Sequence, residues 1–307
     1  MTPTRWNSER LEQIQRGILE TAHRPLEQAT ALPAGAYTDL DFYRWEVEQV
    51  LKKQWLCVGH TSQIPAVGDY LNVDLLGEGL VITRDGEHVV NVLSRVCLHR
   101  AMDLMPEAYG HSRQGNRRNF VCPYHHWSYD LNGSLIGAPE MDKHTEFDKQ
   151  GFCLPRFRSE VWEGFIFLTF DPDLDPVQTY YSGLLPFLEH RQMADMEMVV
   201  NLKWDCPFNW KILVENFMKP YHHLGTHHKT FEPIMPAWSA WTEAETAHYI
   251  VCHLPFGKRI ADNPEERQKL MEFSLSPLLK PQDFQEYAVY LGEPSFLLFI
   301  GPDRVYW

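Results

Sequence analysis

The sequence predicts an α+β fold with two domains, because helix-like and strand-like segments follow each other in separate runs along its 307 residues. The first segments have apolar residues at helical spacing. A run of short, β-rich segments separated by turn residues comes next. An Asp- and Pro-rich break at residues 171–176 is the expected domain boundary, and further helices and strands follow it. A chain of this length can bury two hydrophobic cores.

The individual elements follow from periodicity and turn chemistry. Leu11, Ile14 and Ile18 share one face of a predicted amphipathic helix. Short β-branched and aromatic runs, bounded by turns such as Asp85-Gly86, predict strands. The predicted helices cover residues 8–23, 42–54, 179–190 and 209–218. The predicted strands cover residues 70–75, 79–84, 88–94, 162–170, 248–254 and 296–300, and helical pieces with loop are expected at residues 258–285.

Composition limits the classes of partner. The chain has 28 basic and 41 acidic residues, a formal net charge of −13, which argues against nucleic acid and anionic membranes as partners. It contains no apolar run of the roughly 18–20 residues that a membrane span needs. Its first residues lack the apolar core of a signal peptide. Six scattered cysteines do not suggest a disulfide scaffold, and we expect a cytoplasmic protein.

Two short clusters of metal-binding residue types stand out, Cys97-x-His99 and Cys122-x-x-His125. Close spacing lets both members of a pair reach one centre, and the 22 residues between the pairs let a second loop approach from the other side. Two Cys and two His can hold a structural zinc or a Rieske [2Fe–2S] cluster, which has both Cys on one iron and both His on the other. Each loop supplies one Cys and one His, whereas zinc fingers usually group a Cys pair and a His pair. The order therefore favours the two-iron cluster.

A second metal site is predicted where four histidines lie within seven residues, at His222, His223, His227 and His228. Two imidazoles and one carboxylate suit a mononuclear iron with open positions. His223 and His227 would share one face of a helix. His222 and His227 converge only if the helix is distorted, which Pro220 and Gly225 favour. On residue spacing alone, both pairs stay possible.

The surroundings of both clusters resemble the ring-hydroxylating Rieske oxygenases. Residues 97–100 and 122–127 resemble the two Rieske boxes of that family, and the similarity covers roughly residues 40–170. Residues 209–228 resemble the catalytic-domain box, in which the His after Tyr and the His five residues later bind iron. The resemblance implies that Cys97, His99, Cys122 and His125 hold the cluster. It implies that His222 and His227 hold Fe(II), with Asn216 among the catalytic residues.

The same resemblance implies a fold and an activity. We expect an N-terminal helical segment at residues 1–39, an antiparallel-β Rieske domain at residues 40–170, and a catalytic domain at residues 171–307. The catalytic domain would be an antiparallel sheet with helices, of helix-grip type. The implied activity is O₂-dependent hydroxylation, dihydroxylation or oxidative demethylation of a small organic substrate. Electrons would come from NAD(P)H through a separate reductase or ferredoxin, and a head-to-tail homotrimer would bring neighbouring centres together.

Four departures from the family pattern stand out. The segment between the boxes carries an insert near residues 110–119, and His126 replaces a common Gly. Lys219 occupies the position of an acid that joins a Rieske His of one subunit to an iron His of the next. Because an ammonium cannot accept a hydrogen bond, either another acid such as Glu215 serves or electron transfer is impaired. The remaining alternative is that the bridge tolerates the change and Lys219 points to solvent. The family's iron carboxylate lies well downstream, and we expect it beyond Trp307, because the nearby Asp303 is better explained by turn chemistry.

An alternative function follows from these departures. A Rieske domain beside a second domain that has lost catalysis would be an electron-transfer or binding protein. The count of bound iron distinguishes the two hypotheses, because an oxygenase needs mononuclear iron in addition to the cluster.

Overall fold

The computed structural model describes residues 8–244, 246–271, 277–292 and 294–307. Its contacts divide the chain into two compact units. Residues 55–179 and 192–201 form one, here named the cluster unit; residues 1–54, 180–191 and 202–307 form the other, named the histidine unit. Along the described residues, no helix combines the length and apolar character needed to cross a bilayer. The domain boundaries expected from the sequence stay a prediction.

The cluster unit is built on antiparallel strands. They are β1 (Leu56–His60), β2 (Asp69–Leu75), β3 (Glu78–Arg84), β4 (Val90–Ser94), β5 (Gln114–Asn116), β6 (Phe120–Val121), β7 (Ser128–Tyr129), β8 (Leu135–Gly137), β9 (Arg156–Trp162) and β10 (Phe165–Thr169). Seven of them form a sheet in the order β1-β10-β9-β4-β3-β2-β5, and β6, β7 and β8 form a second, small sheet. The predicted strands at residues 70–75, 79–84 and 88–94 are therefore confirmed, as β2, β3 and β4.

Both faces of the large sheet are buried, which explains the apolar run in β3. Leu80 and Ile82 pack into one core, and Val81 between them packs into the other. This alternation follows from the two-residue period of a strand. The core that contains Val81 also contains Cys97 and Cys122. The sheet thus provides the packed surface on which both candidate cluster loops lie.

The histidine unit combines helices with a five-stranded antiparallel sheet. Among the described residues of both units, the α-helices are α1 (Ser8–Ala22), α2 (Gly35–Thr38), α3 (Leu40–Gln49), α4 (Val177–Tyr181), α5 (Leu185–Leu188), α6 (Trp210–Phe217), α7 (Lys258–Ala261) and α8 (Pro264–Lys269). The sheet has the order β11 (Trp241–Thr242), β12 (Tyr249–Pro255), β13 (Glu286–Gly292), β14 (Phe296–Ile300) and β15 (Val305–Tyr306). Phe217, at the end of α6, packs against the apolar side chains of this sheet, including Leu254 and Val289.

Three predicted elements differ from the structure. The helix predicted at residues 42–54 is shortened to α3, which ends at Gln49 before a 3₁₀ turn at Leu51–Lys53. The single helix predicted at residues 179–190 is wrong: α4 gives way to a 3₁₀ turn at Ser182–Leu184 before α5 begins. Gly183 and Pro186 weaken a continuous helix, because glycine is flexible and proline lacks the backbone donor. The strand predicted at residues 162–170 is shortened to β10, since Glu163 and Gly164 form a turn with positive φ angles of 50° and 82°.

Candidate metal centres

The first cluster loop is closed by its own backbone. The N–H of Cys97 donates to the carbonyl of Met102 at 2.8 Å, and the N–H of Ala101 donates back to the carbonyl of Cys97 at 3.0 Å. Ala101 adopts a left-handed conformation with φ 54°. The loop therefore holds Cys97 and His99 on one tight turn, as the sequence spacing required.

The second loop repeats the same pattern. The N–H of Cys122 donates to the carbonyl of Trp127 at 2.8 Å, and the N–H of His126 donates to the carbonyl of Cys122 at 3.0 Å. His126 has φ 61°, matching Ala101 in the first loop. A glycine meets this conformation without steric cost, which explains why glycine is common at the position that His126 occupies here. The two loops are thus two copies of one turn, each presenting a Cys and a His.

The four candidate ligands come together in pairs. The rings of His99 and His125 lie 4.6 Å apart between centroids. Burial raises the pKa of Cys122, and the nearby Cys97 thiol raises it further, while backbone N–H groups of Tyr124 and His125 oppose both by favouring the thiolate. Nδ1 of His99 is buried and has no hydrogen-bond partner among the described residues.

This arrangement suits a two-iron cluster. A cluster that divides its ligands between two irons needs two thiols side by side and two imidazoles side by side. An unpartnered, buried ring nitrogen is costly unless a ligand satisfies it, and a bound iron would do so at His99. Trp127 stacks on the His99 ring at 5.0 Å and 9°, which fixes the orientation of that imidazole.

Tyr129 is a functional candidate that the sequence analysis missed. Its hydroxyl accepts a hydrogen bond from the N–H of Leu98 at 3.0 Å and lies 3.3 Å from Sγ of Cys97. Because the Leu98 N–H is a donor, the Tyr129 proton is free to point at the Cys97 sulfur. No spacing rule in the sequence identified this residue. Hydrogen bonds to cluster sulfurs are one determinant of the reduction potential.

The histidines of the second candidate site lie in an irregular turn. A 3₁₀ helix at Pro220–Leu224 replaces regular α-helix, so the expected distortion is present. The rings of His222 and His227 are 5.2 Å apart between centroids, those of His223 and His227 are 5.8 Å apart, and those of His222 and His223 are 5.0 Å apart. All three rings therefore lie close together, and the centroid distances do not single out one pair.

The hydrogen bonds of these histidines differ. Nδ1 of His223, a buried residue, lies 3.1 Å from the carbonyl of Met235, which fixes that ring. Nδ1 of His222 is buried without a hydrogen-bond partner among the described residues. Burial lowers the pKa of His222, and the nearby imidazoles of His223 and, more weakly, His227 add to the effect, so the neutral, metal-binding form is favoured.

The described residues do not supply a complete set of ligands for a mononuclear metal. Across the described part of the chain, no three His, Cys, Asp or Glu side chains form a group able to hold one ion. Asn216 lines the same cavity as His222 and His227, as described below. Glu215, the acid nearest to Lys219 in sequence, instead accepts a hydrogen bond from the hydroxyl of Tyr37 at 2.5 Å.

Helix α6, which precedes the histidines, is held by buried charges. The side chain of Asn209 caps it by accepting from the N–H of Lys211 at 3.1 Å. Nζ of Lys211 lies 2.8 Å from both carboxylate oxygens of Glu46 in α3, and Nε1 of Trp210 donates to the same carboxylate at 2.9 Å. Glu46 is 5 % exposed, so this pair is removed from water. The Asn-Trp-Lys motif thus positions the helix rather than contacting the iron candidates.

A cavity of about 590 Å³ opens beside the histidines. His222, His223 and His227 line it, and its other walls come from α6, the turn after Pro220 and the strands of the five-stranded sheet. This volume lies within the usual range for small-molecule sites. Trp238 and Trp241 do not line this cavity: Trp238 is 79 % exposed, and Trp241 stacks on the ring of His253 at 3.9 Å between centroids.

Two family models match the chain at these sites. The model of the Rieske [2Fe-2S] domain matches residues 54–158, and the model of the ring hydroxylating alpha subunit (catalytic domain) matches residues 193–306. The chain belongs to the ring-hydroxylating Rieske oxygenase family. Both halves of the similarity inferred from the motifs are confirmed, and the two matched domains together imply a Rieske cluster and a non-heme iron.

Curated relatives of this Rieske oxygenase chain have different named substrates. It is 31 % identical over 218 residues to the carnitine monooxygenase oxygenase subunit of Escherichia coli (strain K12), covering 70 % of this chain and 56 % of the relative. It is 32 % identical over 205 residues to the benzene 1,2-dioxygenase subunit alpha of Pseudomonas putida, covering 65 % and 44 %. The chain thus spans about half the length of these curated relatives.

A solved structure supports the fold. Naphthalene 1,2-dioxygenase from Rhodococcus sp., bound to indole, aligns with a TM-score of 0.79 at 22 % identity, over 96 % of this chain and 69 % of that one. The predicted α+β class, with an antiparallel-β Rieske domain and a catalytic domain of antiparallel sheet and helices, is confirmed.

Proposed function

We propose that this chain is the oxygenase component of a Rieske-type system, which uses O₂ to hydroxylate, dihydroxylate or oxidatively demethylate a small organic substrate. The observation that carries the proposal is the cavity lined by His222 and His227 in the same chain as the paired cluster loops. In this proposal Cys97, His99, Cys122 and His125 hold the cluster. His222 and His227 hold Fe(II), and Asn216 lies among the catalytic residues.

When bound, the cluster supplies electrons singly and the non-heme iron supplies the site of O₂ chemistry. The protein's own contribution is orientation and exclusion of water. Trp127 holds the His99 ring by stacking, and Met235 fixes His223 beside the candidate iron ligands. Apolar cavity walls, such as Phe231 and Leu254, keep a substrate's reacting carbon near the histidines and limit access of bulk water.

The electron supply and the assembly belong to the same proposal. Electrons come from NAD(P)H through a separate reductase or ferredoxin that docks on the cluster unit. His125 is exposed, so one ligand edge of the candidate cluster faces solvent, where a donor can approach. A head-to-tail homotrimer supplies the neighbouring centre, because a heterologous interface closes into a ring by rotation.

Lys219 is the observation that favours the second candidate, an electron-transfer or binding protein without catalysis. An ammonium three residues before His222 cannot accept a hydrogen bond from an imidazole N–H. Among the described residues, a third protein ligand for iron is also not grouped with His222 and His227. The presence of both matched domains in one chain favours the oxygenase over this alternative.

Turnover tests the proposal. The full chain, purified without oxygen, would be combined with a surrogate reductase, NADH and isotopically labelled O₂ against a panel of arenes, organic acids and methylated amines. We expect labelled product from the parent and from His228→Ala, whose exposed imidazole lies outside the cavity lining. We expect none from His222→Ala, although its visible cluster spectrum is retained.

Equal turnover in His222→Ala and the parent would exclude His222 as an iron ligand. A chain with an intact cluster spectrum, bound iron in the cluster alone and no labelled product from any substrate would support the electron-transfer alternative instead.

A further inference from the structure

A buried histidine lies on the face of the five-stranded sheet that is turned away from the cavity. His253 is in β12, between Cys252 and Leu254, which belong to the core on the cavity side. Its own side chain therefore points to the opposite face, where Phe187 of α5 packs against it at 6.3 Å between ring centroids. The residue is 7 % exposed, and neither candidate metal centre involves it.

Each ring nitrogen of His253 faces a different carboxylate. Nδ1 lies 2.9 Å from Oε1 of Glu286 in β13, and Nε2 lies 3.3 Å from Oε1 of Glu243, the residue after β11. A carboxylate oxygen accepts hydrogen bonds, so both ring nitrogens must donate for both bonds to form, and only the imidazolium has two N–H groups. With both nitrogens engaged in this way, these three residues are a charge cluster and not a metal centre within the described ranges.

Trp241 covers the imidazole from the edge of the sheet. Its ring stacks on the His253 ring at 3.9 Å between centroids and 9° between planes, and the two residues are directly paired in the ladder of β11 and β12. An indole face attracts a cation, so the stacking also favours the imidazolium. Because β11 has only two residues, these side-chain contacts add to a very short ladder. We name Trp241, Glu243, His253 and Glu286 the His253 cluster.

The neighbouring titratable groups do not supply a competing charge to this cluster. On the same face, Asp283 is paired with His190 and with Arg191, which follow α5. Burial raises the pKa of Tyr290 in β13, so its phenol stays neutral. Cys252 faces the other side, and burial raises its pKa to about 11. The charge of His253 is therefore set by its own two carboxylates.

We propose that the His253 cluster is a pH-dependent clamp, which holds β11 on the sheet while His253 is an imidazolium and releases it when the imidazole is neutral. The inference goes beyond the proposed function, because it needs no metal, O₂ or substrate. A neutral imidazole has a single N–H, so deprotonation removes one of the two hydrogen bonds. Glu243 is the partner that leaves, since its contact is longer and its side chain is 39 % exposed, against 20 % for Glu286.

The direction of the pH dependence follows from the two carboxylates. Burial alone would lower the pKa of His253, but the hydrogen bonds and charges of Glu286 and then Glu243 outweigh burial, so the pKa is raised above the ordinary 6.5. The stabilisation by the clamp is therefore complete below pH 6.5 and is lost as the pH rises through the pKa of the folded state. Release is expected on the alkaline side.

The strand that the clamp holds is continuous with one wall of the cavity. Phe231, Ile234 and Met235 line the cavity, and β11 begins six residues after Met235. The carbonyl of Met235 also accepts a hydrogen bond from Nδ1 of His223. Release of β11 thus frees one end of this wall segment.

Hydrogen exchange read by mass spectrometry tests the clamp on the full chain. Short labelling pulses at pH 5.5 and pH 8.5, corrected for the intrinsic exchange rate, would be compared for peptides that contain residues 241–244. The N–H of Glu243, which donates to the carbonyl of Val251 at 2.9 Å, is the reporting amide. We expect its protection to fall by about tenfold at the higher pH, a factor that one charge-assisted hydrogen bond supplies.

Three variants assign the effect to the cluster. His253→Gln has no charge to lose, so protection at β11 should be the same at both pH values. Glu243→Gln removes one carboxylate and should move the midpoint of the loss to lower pH, which remains measurable if His253→Gln does not fold. His248→Gln removes a histidine just before the same strand, one whose ring stacks on Tyr180, and should behave as the parent.

Three results would overturn the clamp: equal protection of β11 in the parent at both pH values, an undiminished pH effect in His253→Gln, or an unmoved midpoint in Glu243→Gln. Any of them leaves the proposed function standing, because that function is tested by labelled product and this experiment uses neither reductase nor substrate.

Discussion

The two candidate metal regions of this Rieske oxygenase chain are held in different ways. In the cluster unit, each loop closes on itself with the same two backbone hydrogen bonds. Each Cys is therefore positioned by a stretch of only six residues, 97–102 in the first loop and 122–127 in the second. In the histidine unit, His222 and His227 lie in an irregular turn that depends on distant partners, among them the Glu46–Lys211 pair under α6. The comparison indicates that a locally closed site is specified by a short motif, whereas an open site is specified by the fold around it.

Removing a cluster thiol should have the largest effect. In Cys97→Ser the thiolate that one iron requires is lost, so we expect complete loss of the visible cluster spectrum and of the bound sulfide. The matched control is Cys153→Ser, which removes an exposed thiol of the same unit and should leave both unchanged. The account of the loops would fail if Cys97→Ser kept the parent spectrum.

The buried pair under α6 should give the next largest effect. In Glu46→Leu the Lys211 ammonium is left buried without its partner, and we expect the free energy of unfolding to fall by about 3–5 kcal/mol. Urea denaturation measures this change. Replacing both residues, with Glu46→Leu and Lys211→Met, should restore most of the loss, because no unpaired charge is left.

Glu48→Leu is the control for that experiment. It lies on the same helix, and its ion pair with Lys52 is on the surface, so the expected change is within about 1 kcal/mol. If Glu46→Leu is no more destabilising than Glu48→Leu, then α6 is held by packing alone. In either case the cluster spectrum should persist, because both residues belong to the histidine unit.

Tyr129 offers a smaller and more local test in the cluster unit. Its hydrogen bond to Sγ of Cys97 stabilises the more negative, reduced cluster, so Tyr129→Phe should lower the reduction potential. A neutral hydrogen bond of about 0.5–1.5 kcal/mol corresponds to roughly 20–65 mV for one electron. Spectroelectrochemical titration measures the shift. Tyr124→Phe, which removes an exposed hydroxyl in the second loop, should leave the potential nearly unchanged, and an equal shift in both variants would argue against a role for Tyr129.

The smallest expected effect concerns the left-handed residue of the second loop. His126 has φ 61°, a conformation that costs a non-glycine residue roughly 1–2 kcal/mol. His126→Gly should therefore stabilise the cluster unit by roughly 0.5–1 kcal/mol after the greater chain entropy of glycine is subtracted. Ala101→Gly at the equivalent position should show a similar gain in thermal denaturation. Destabilisation by both changes would contradict the repeated-turn description of the loops.

The same contrast explains what could be predicted from the sequence. The ligand loops could be identified because each Cys–His pair lies within four residues. The model of the Rieske domain matches the part of the chain that contains both pairs. Strands β2, β3 and β4 were predicted because their β-rich composition and the turns that separate them are local features. The strand β5 within the insert was not predicted, since it forms by pairing with β2, more than forty residues earlier in the chain.

The surroundings of the histidines could not be predicted for the same physical reason. Arg304 and Phe299 line the cavity through the folding of β14 and β15, far along the chain from His222. The contact between Glu46 and Lys211 joins residues 165 positions apart. The choice between His222 and His223 as partner of His227 rests on the family box. The ring distances are compatible with His222 as the partner of His227, and this assignment stays a prediction.

Mössbauer spectroscopy of the iron-reconstituted full chain, parent beside His227→Ala, tests the two-centre account most directly. The account predicts a signal from a cluster with two unlike irons in both proteins, and an additional mononuclear iron signal of about one iron per chain in the parent only. Cluster iron alone in the parent, or a mononuclear signal that survives in His227→Ala, would contradict it.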